Sequence, residues 1–295
     1  MEGPPRIAII RPSSIPDREQ YEKGLAVLRE NQISFKSFVD FEESPPSQKA
    51  FLLYEILTCG QFSHLWAVRG GAGAMLLLPF LEEFMEPKAS KYLSLPQLIG
   101  FSDITALHLF FWTKFQKIGI HAPMIVNLPD LEKGCLRELL KILTRETKRI
   151  TLTGRPYQQG SAQGFLVGGN LSLLASLCGT PYFPKRDSLV LFLEDVGERP
   201  YKLERALLQV LWSLPATSLR GIVFGSLGEV SAEEILTTLA SLIPKDIPIA
   251  FDFPFGHQPM NYPLLIGAPC KLEVSKERAK LFIELEFSQS LSKVF

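Results

Sequence analysis

No stretch of this 295-residue sequence approaches the ~18 consecutive apolar residues of a membrane-spanning helix, and the apolar run near its start, Ile7–Ile10, is too short for the core of a secretory signal. The cytoplasm is therefore the expected location. Charge of one sign is also lacking: 31 basic residues are cancelled by 31 acidic ones, and no basic cluster stands out. Nucleic acid and membrane surfaces are accordingly not expected partners. Cysteine is sparse and scattered. Cys59, Cys135, Cys178 and Cys270 show no CxxC spacing, which argues against a zinc site or a disulfide framework and for reduced, buried thiols. Low-complexity segments and internal repeats are absent. Histidine is as scarce as cysteine, and with only four residues it narrows the search for a general base.

The composition that remains, 46% hydrophobic and 21% charged, is that of a globular protein and excludes a disordered one. Short runs rich in Ile, Val and Phe alternate with segments of helical period, the pattern of a mostly parallel sheet covered by helices. Strands are expected at residues 6–11, 33–39, 64–68, 98–101 and 118–120, with helices at 17–30, 48–57, 74–84, 103–115 and 131–143. These elements make residues 1–144 a doubly wound α/β lobe. The stretch TLTGRPYQQGSAQG breaks the pattern, so residues 145–164 read as a crossing between lobes. A second α/β lobe then spans 165–287, with strands at 189–193, 221–224, 247–251, 264–266 and 281–287, helices at 201–214 and 232–242, and a turn and helix in GGNLSLLASL. Residues 288–295 read as a frayed tail.

Chemistry is expected where strands give way to helices. Ser102 stands in LIGFSDITALHLFF, at a strand-to-helix turn that lifts its side chain above the carboxyl edge of the sheet, where open α/β sheets hold their ligands. The free N–H groups of the following helix suit a developing oxyanion. GFSD departs from the G-x-S-x-G nucleophile elbow, and a serine in this position also serves as an ordinary helix cap. A second turn of the same kind, AVRGGAGAM, carries Gly70, Gly71 and Gly73 and lets backbone approach a ligand closely. Its G-G-A-G is not the dinucleotide fingerprint G-x-G-x-x-G, and tight packing alone would explain it.

Four histidines compete as base. His108 lies six residues into the helix after Ser102, ~9 Å along its axis, which is out of reach. His64 opens a strand at the opposite edge. His121 ends a strand at the correct edge, and His257 follows a strand in the Gly- and Pro-rich loop FDFPFGHQPMNYP, which suits a presented side chain better. An orienting carboxylate is sought in LFLEDVGERP, where Glu194, Asp195 and Glu198 stay open as alternatives, since acidic residues before a helix also simply compensate its dipole.

Taken in order, AVRGGAGA, LIGFSDITALH, HAP, GFLVGGNLSLLASLCGTPY, LFLEDVGERPYKLERAL and FGHQPMNYPLLIGA resemble the LD-carboxypeptidases, a serine peptidase family that includes the microcin C immunity peptidases. The resemblance implies a triad of Ser102, Glu194 and His257, an active site between the lobes and commonly a homodimer. It also implies hydrolysis of the bond before the terminal D-alanine of murein tetrapeptide, in cell-wall recycling and without metal or organic cofactor. In that chemistry the N–H groups of Asp103 and Gly71 form the oxyanion hole, while Arg69 and Gly70 meet the substrate. Arg69 would grip a terminal carboxylate, although a structural ion pair is an equal use for it. Ala72, Gln97 and Ala122 stand where the family usually has an aromatic residue, a lysine and a glycine. Hydrolysis of an aminoacyl nucleotide, binding of peptide without turnover, and acyl transfer to an amine are the alternative functions.

Overall fold

In β1 (Ile7–Ile10) the side chains of Ile7 and Ile9 enter one hydrophobic layer and those of Ala8 and Ile10 another, because a strand covered on both sides has no solvent face. The same double burial holds in β3 (His64–Ala67), whose residues are all buried. The computed structural model, which describes residues 5–85, 95–215 and 217–285, continues this sheet with β2 (Phe35–Ser37), β4 (Gln97–Gly100) and β5 (Gly119–His121). These strands are parallel, and β11 (Leu264–Ile266) adds to β5 in the antiparallel sense, giving the order β11-β5-β4-β3-β1-β2.

Helices α1 (Arg18–Glu30) and α5 (Lys133–Leu143) cover the Ile7 and Ile9 layer, while α2 (Pro46–Thr58), α3 (Leu78–Phe84) and α4 (Thr105–Phe115) cover the other. α1 starts where the Asp17 carboxylate accepts from the Gln20 N–H at 2.9 Å, and it buries Tyr21, Gly24, Leu25 and Leu28 along one stripe. α4 is buried from Thr105 to Trp112, since it lies between the sheet and the second half of the molecule.

That second half is a closed barrel with a parallel segment. Its strands are β6 (Arg149–Gln158), β7 (Gly160–Asn170), β8 (Leu189–Glu194), β9 (Leu219–Phe224), β10 (Ile249–Phe251), β12 (Pro269–Val274) and β13 (Ala279–Glu284), ordered β10-β6-β13-β12-β7-β8-β9 and closed by pairing of β9 with β10. Along β8, Val190 and Phe192 face the barrel interior with Leu272 and Leu281, whereas Leu189, Leu191 and Leu193 face α6 (Leu171–Ser176), α7 (Pro200–Ser213) and α8 (Ala232–Thr238). By this alternation Glu194 belongs to the interior side, at the mouth of the barrel.

The α/β architecture is as expected, and several boundaries are not. Residues 145–164 are no linker: they supply all of β6 and the first part of β7, which are strands of the barrel separated in space by the β12–β13 hairpin. Strand 264–266 belongs to the first sheet, so the division at residue 144 leaves out one of its strands. β12 falls where the sequence pattern predicts no strand. The tail 288–295, with Glu286 and Phe287 of the expected strand 281–287, lies outside the described residues. Among the described residues no helix is long and apolar enough to cross a membrane.

Candidate active site

The strand order places the loops after β1, β3 and β4 side by side at the carboxyl edge of the sheet, around the point where strand order reverses between β1 and β3. Ser102 stands in the loop after β4 with φ +60°, a left-handed conformation that an L-serine adopts only when its surroundings hold it there. A side chain on Gly70 would place its Cβ 3.1 Å from both Cβ and Oγ of Ser102 and 3.4 Å from the Asp103 nitrogen. A side chain at residue 70 would press the Ser102 turn aside by a few tenths of an ångström, so a glycine here lets the two turns lie this close. Gly70 is buried beneath the site, whereas Gly71 and Ala72 are exposed at its rim.

Three contacts tie the β1 loop to this pair of turns. Ser13 Oγ donates to Asp103 Oδ2 at 2.6 Å, the Ala72 N–H donates to Ser14 Oγ at 3.0 Å, and Arg69 Nη1 donates to the Ile15 carbonyl at 3.1 Å. Asp103 Oδ2 also accepts from the Ala74 N–H at 2.8 Å. Burial pushes the Asp103 carboxyl up, and the bonds from Ser13 and Ala74 oppose the rise. No sequence motif singles out Ser13 and Ser14, although the Pro-Ser-Ser turn just beyond the first strand is a signal of position.

Opposite, the barrel presents Glu194 and His257. His257 Nδ1 and Glu194 Oε2 are 2.6 Å apart, with Glu194 fully buried and the His257 side chain 21% exposed. Gly256 has φ +102°, and a Cβ there would stand 2.8 Å from Glu194 Cβ, so the histidine loop reaches the carboxylate only through a glycine. Buried Asn261 holds the loop by accepting the Gly256 N–H at 3.0 Å. Burial raises the Glu194 carboxyl above its ordinary value, the pairing with His257 pulls it back, and neighbouring Asp195 adds to the rise.

The other two acidic candidates have different duties. Asp195 accepts from Asn170 Nδ2 at 3.0 Å, from Ser172 Oγ at 2.7 Å and from the Ser172 N–H at 2.9 Å, tying the start of α6 to the end of β8. Glu198 pairs with Lys202 at 3.0 Å on the first turn of α7.

The two halves meet at this point. The His257 ring lies 4.6 Å, centroid to centroid, from the ring of Phe101, the residue before Ser102, and the Asn170 N–H donates to Thr105 Oγ1 at 3.1 Å. His121 is also adjacent, but it is fully buried among Phe101, Phe192 and Phe255, and burial drives it far toward the neutral form. His108 Nε2 is 2.9 Å from the Gly100 carbonyl within the core, and His64 sits at the start of β3, away from the site. Of the departures from the family pattern, Ala72 stands at the rim, Gln97 opens β4 at the far edge, and buried Ala122 donates to the Gly100 carbonyl at 3.3 Å.

A serine on a strained turn with a carboxylate-bound imidazole beside it has the parts of a nucleophilic hydrolase. The chain matches the LD-carboxypeptidase N-terminal domain over residues 7–122 and the LD-carboxypeptidase C-terminal domain over residues 163–272. It belongs to the LD-carboxypeptidase family. A Rickettsia prowazekii protein named as a carboxypeptidase is 32% identical over 75% of this chain and 71% of its own length. The murein tetrapeptide carboxypeptidase of Pseudomonas aeruginosa is 27% identical over 92% of this chain and 94% of its own. The same fold occurs in the crystal structure of muramoyltetrapeptide carboxypeptidase from Oxalobacter formigenes, with TM-score 0.81 and 24% identity over 95% of this chain and 98% of that one. This LD-carboxypeptidase homologue is thus a peptide hydrolase of the serine carboxypeptidase class.

Proposed function

We propose that this protein releases the terminal D-alanine of murein tetrapeptide through a Ser102–His257–Glu194 triad. The observation that carries the reading is the 2.6 Å bond between His257 Nδ1 and Glu194 Oε2 at the place where the His257 ring packs beside the Ser102 turn. With Nδ1 committed to the carboxylate, Nε2 is left to take the serine proton. Ser102 Oγ attacks the scissile carbonyl, and the negative charge that forms is met by the N–H groups of Asp103 and Gly71. The imidazolium then gives its proton to the departing amine of D-alanine. Water, deprotonated by the same imidazole, cleaves the acyl-enzyme and restores Ser102.

The substrate class is supported by the Pseudomonas aeruginosa relative, which is named for murein tetrapeptide and is similar along nearly the whole chain. Cytoplasmic cell-wall recycling and assembly as a homodimer belong to the same reading, to be tested by fractionation and by light scattering of the purified protein.

Stereochemistry tests the substrate. A terminal D-alanine places its methyl where an L-residue has its Cα hydrogen, so a pocket that holds carboxylate and methyl together misplaces the carbonyl of the L-epimer. Misplacement by ~1 Å costs on the order of 10²-fold in rate. Mass spectrometry of muropeptides should show loss of one alanine, with kcat/KM high for the D-terminated tetrapeptide and low for the L-terminated one. Pentapeptides ending D-Ala-D-Ala should resist as well, because the acyl side of their terminal bond is a D-centre. Equal rates for the two tetrapeptides would remove the LD-carboxypeptidase specificity and leave a serine hydrolase.

A further inference from the structure

We propose that the side chain of Asp103 is a positioning group for the reaction, locking the loops after β1 and β3 onto the Ser102 turn so that the oxyanion-binding amides stay in register with the attacking oxygen. The inference rests on the reading of Ser102 as nucleophile, and it adds a role for a side chain whose backbone N–H alone entered that reading.

The carboxylate does not behave as a helix cap. It makes no bond to the N–H groups of its own turn, and its Oδ2 instead accepts from Ser13 Oγ, 90 residues earlier, and from the Ala74 N–H at the far end of the glycine loop, 29 residues earlier. One oxygen atom thereby joins the turns that follow three different strands. Ser13 and Ala74 are fully buried and Asp103 is 4% exposed, so water does not loosen these bonds. A buried carboxylate is costly where an apolar side chain would pack, and removing one such acceptor leaves two buried donors unpaired.

What the clamp fixes is the spacing on which catalysis depends. Ser102 sits at φ +60°, a left-handed conformation that persists in a non-glycine residue only when its neighbours hold it. Gly70 approaches the same serine so closely that a Cβ would lie 3.1 Å from its Oγ. Gly71 follows Gly70 and Asp103 follows Ser102 in the chain, so the two amides assigned to the oxyanion belong to turns that meet at this approach and that the carboxylate ties together through Ala74. Releasing it lets the glycine loop shift relative to the serine without removing any group that takes part in bond making. Ground-state binding of the peptide changes little, whereas stabilisation of the tetrahedral species falls.

The test compares Asp103→Ala, Asp103→Asn, Ser13→Ala and, as control, Ser102→Ala, using D-alanine-terminated tetrapeptide. It also uses a peptidyl boronic acid whose boron replaces the scissile carbonyl carbon. In Asp103→Ala, kcat is expected to fall ~10²-fold, the cost of misplacing the reacting groups by ~1 Å, with KM within about threefold. The boronate inhibition constant should rise in parallel, because its tetrahedral adduct uses the same amides. Asp103→Asn, whose amide oxygen can accept both bonds, should recover kcat to within about tenfold of the parent, and Ser13→Ala should lie between the two Asp103 variants.

A folded Asp103→Ala with kcat and boronate affinity at the parent level overturns the proposal, as does a rise in KM with kcat unchanged. If Asp103→Ala does not fold, Ser13→Ala decides: parallel losses of kcat and boronate affinity support the clamp, and parent values of both overturn it. Turnover by Ser102→Ala would instead overturn the nucleophile assignment, which keeps the two failures apart.

Discussion

Glu194 and His257 are 63 residues apart in the chain and 2.6 Å apart in space, and the carboxylate of this pair has no contact with solvent. The β8 alternation that turns Val190 and Phe192 into the barrel also turns Glu194 inward, and Gly256 lets the histidine loop close over it. The position suits an orienting carboxylate and costs folding energy, because burial raises the Glu194 carboxyl above its ordinary value. A group with a raised folded-state value contributes its full stability below the unfolded carboxylate range and loses it as pH climbs through the raised value.

Glu194→Gln therefore separates stability from activity. It keeps the shape of the side chain without the buried charge, so its melting temperature relative to the parent should increase between acid and neutral pH, as measured by calorimetry at several pH values. Its kcat should fall by roughly 10³–10⁴-fold, since the amide does not hold the productive imidazole tautomer. A relative melting temperature that decreases toward neutral pH would contradict the burial argument.

The triad reading makes a claim about additivity. Ser102→Ala and His257→Ala should each lower kcat by at least ~10³-fold, and the double variant should be little worse than either, because removing one member disables the set. His121→Ala should behave differently. It opens a cavity among Phe101, Phe192 and Phe255 and should cost roughly 2–4 kcal/mol of stability, by analogy with other large-to-small core changes, while a folded sample retains most of its kcat. A stable but inactive His121→Ala beside an active His257→Ala would reverse the assignment of the base.

Gly256→Ala offers an independent probe of the same geometry. At φ +102° an alanine is strained whatever space it finds, and here its Cβ would stand 2.8 Å from Glu194 Cβ. The strain should cost about 1–3 kcal/mol. Activity should fall further than stability, because relief moves the histidine loop away from the carboxylate. Denaturant titration together with kcat on the folded fraction measures both, and a variant that is destabilised yet fully active would show that the loop tolerates the shift.

The ease of reading each element follows from its burial. β3 is readable because strands of the central sheet are covered on both faces and appear as unbroken apolar runs. β6 is not: alternate residues of its first half face solvent, and its Gly, Pro and Gln content has the composition of a loop, so the sequence pattern predicts a linker where the barrel has strands. The pairing of β11 with β5 joins residues more than 140 positions apart, and no local pattern specifies it. At the site, strand-to-turn junctions marked Ser102, the glycine loop and His257, because position relative to a sheet edge is a local property. Ser13, Ser14 and Asn261 act through contacts with other loops, and the local pattern leaves Glu194, Asp195 and Glu198 open because it does not say which side of β8 faces the barrel mouth; only the family resemblance points to Glu194.

Arg69 lends itself to a thermodynamic cycle. It donates from Nη1 to the Ile15 carbonyl, and among the described residues no carboxylate pairs with its guanidinium, which leaves donors for an anionic group on the substrate. If that group is the terminal carboxylate of D-alanine, Arg69→Ala should raise KM and lower kcat/KM by ~10–10²-fold, in line with the roughly 1.5–3 kcal/mol of a charged hydrogen bond. Amidating the terminal carboxylate should lower kcat/KM of the parent enzyme by a similar factor. The two changes remove the same interaction, so the amidated peptide should fare no worse with Arg69→Ala than with the parent. Losses that simply multiply would show that Arg69 supports the β1 loop through Ile15 and that another group receives the carboxylate.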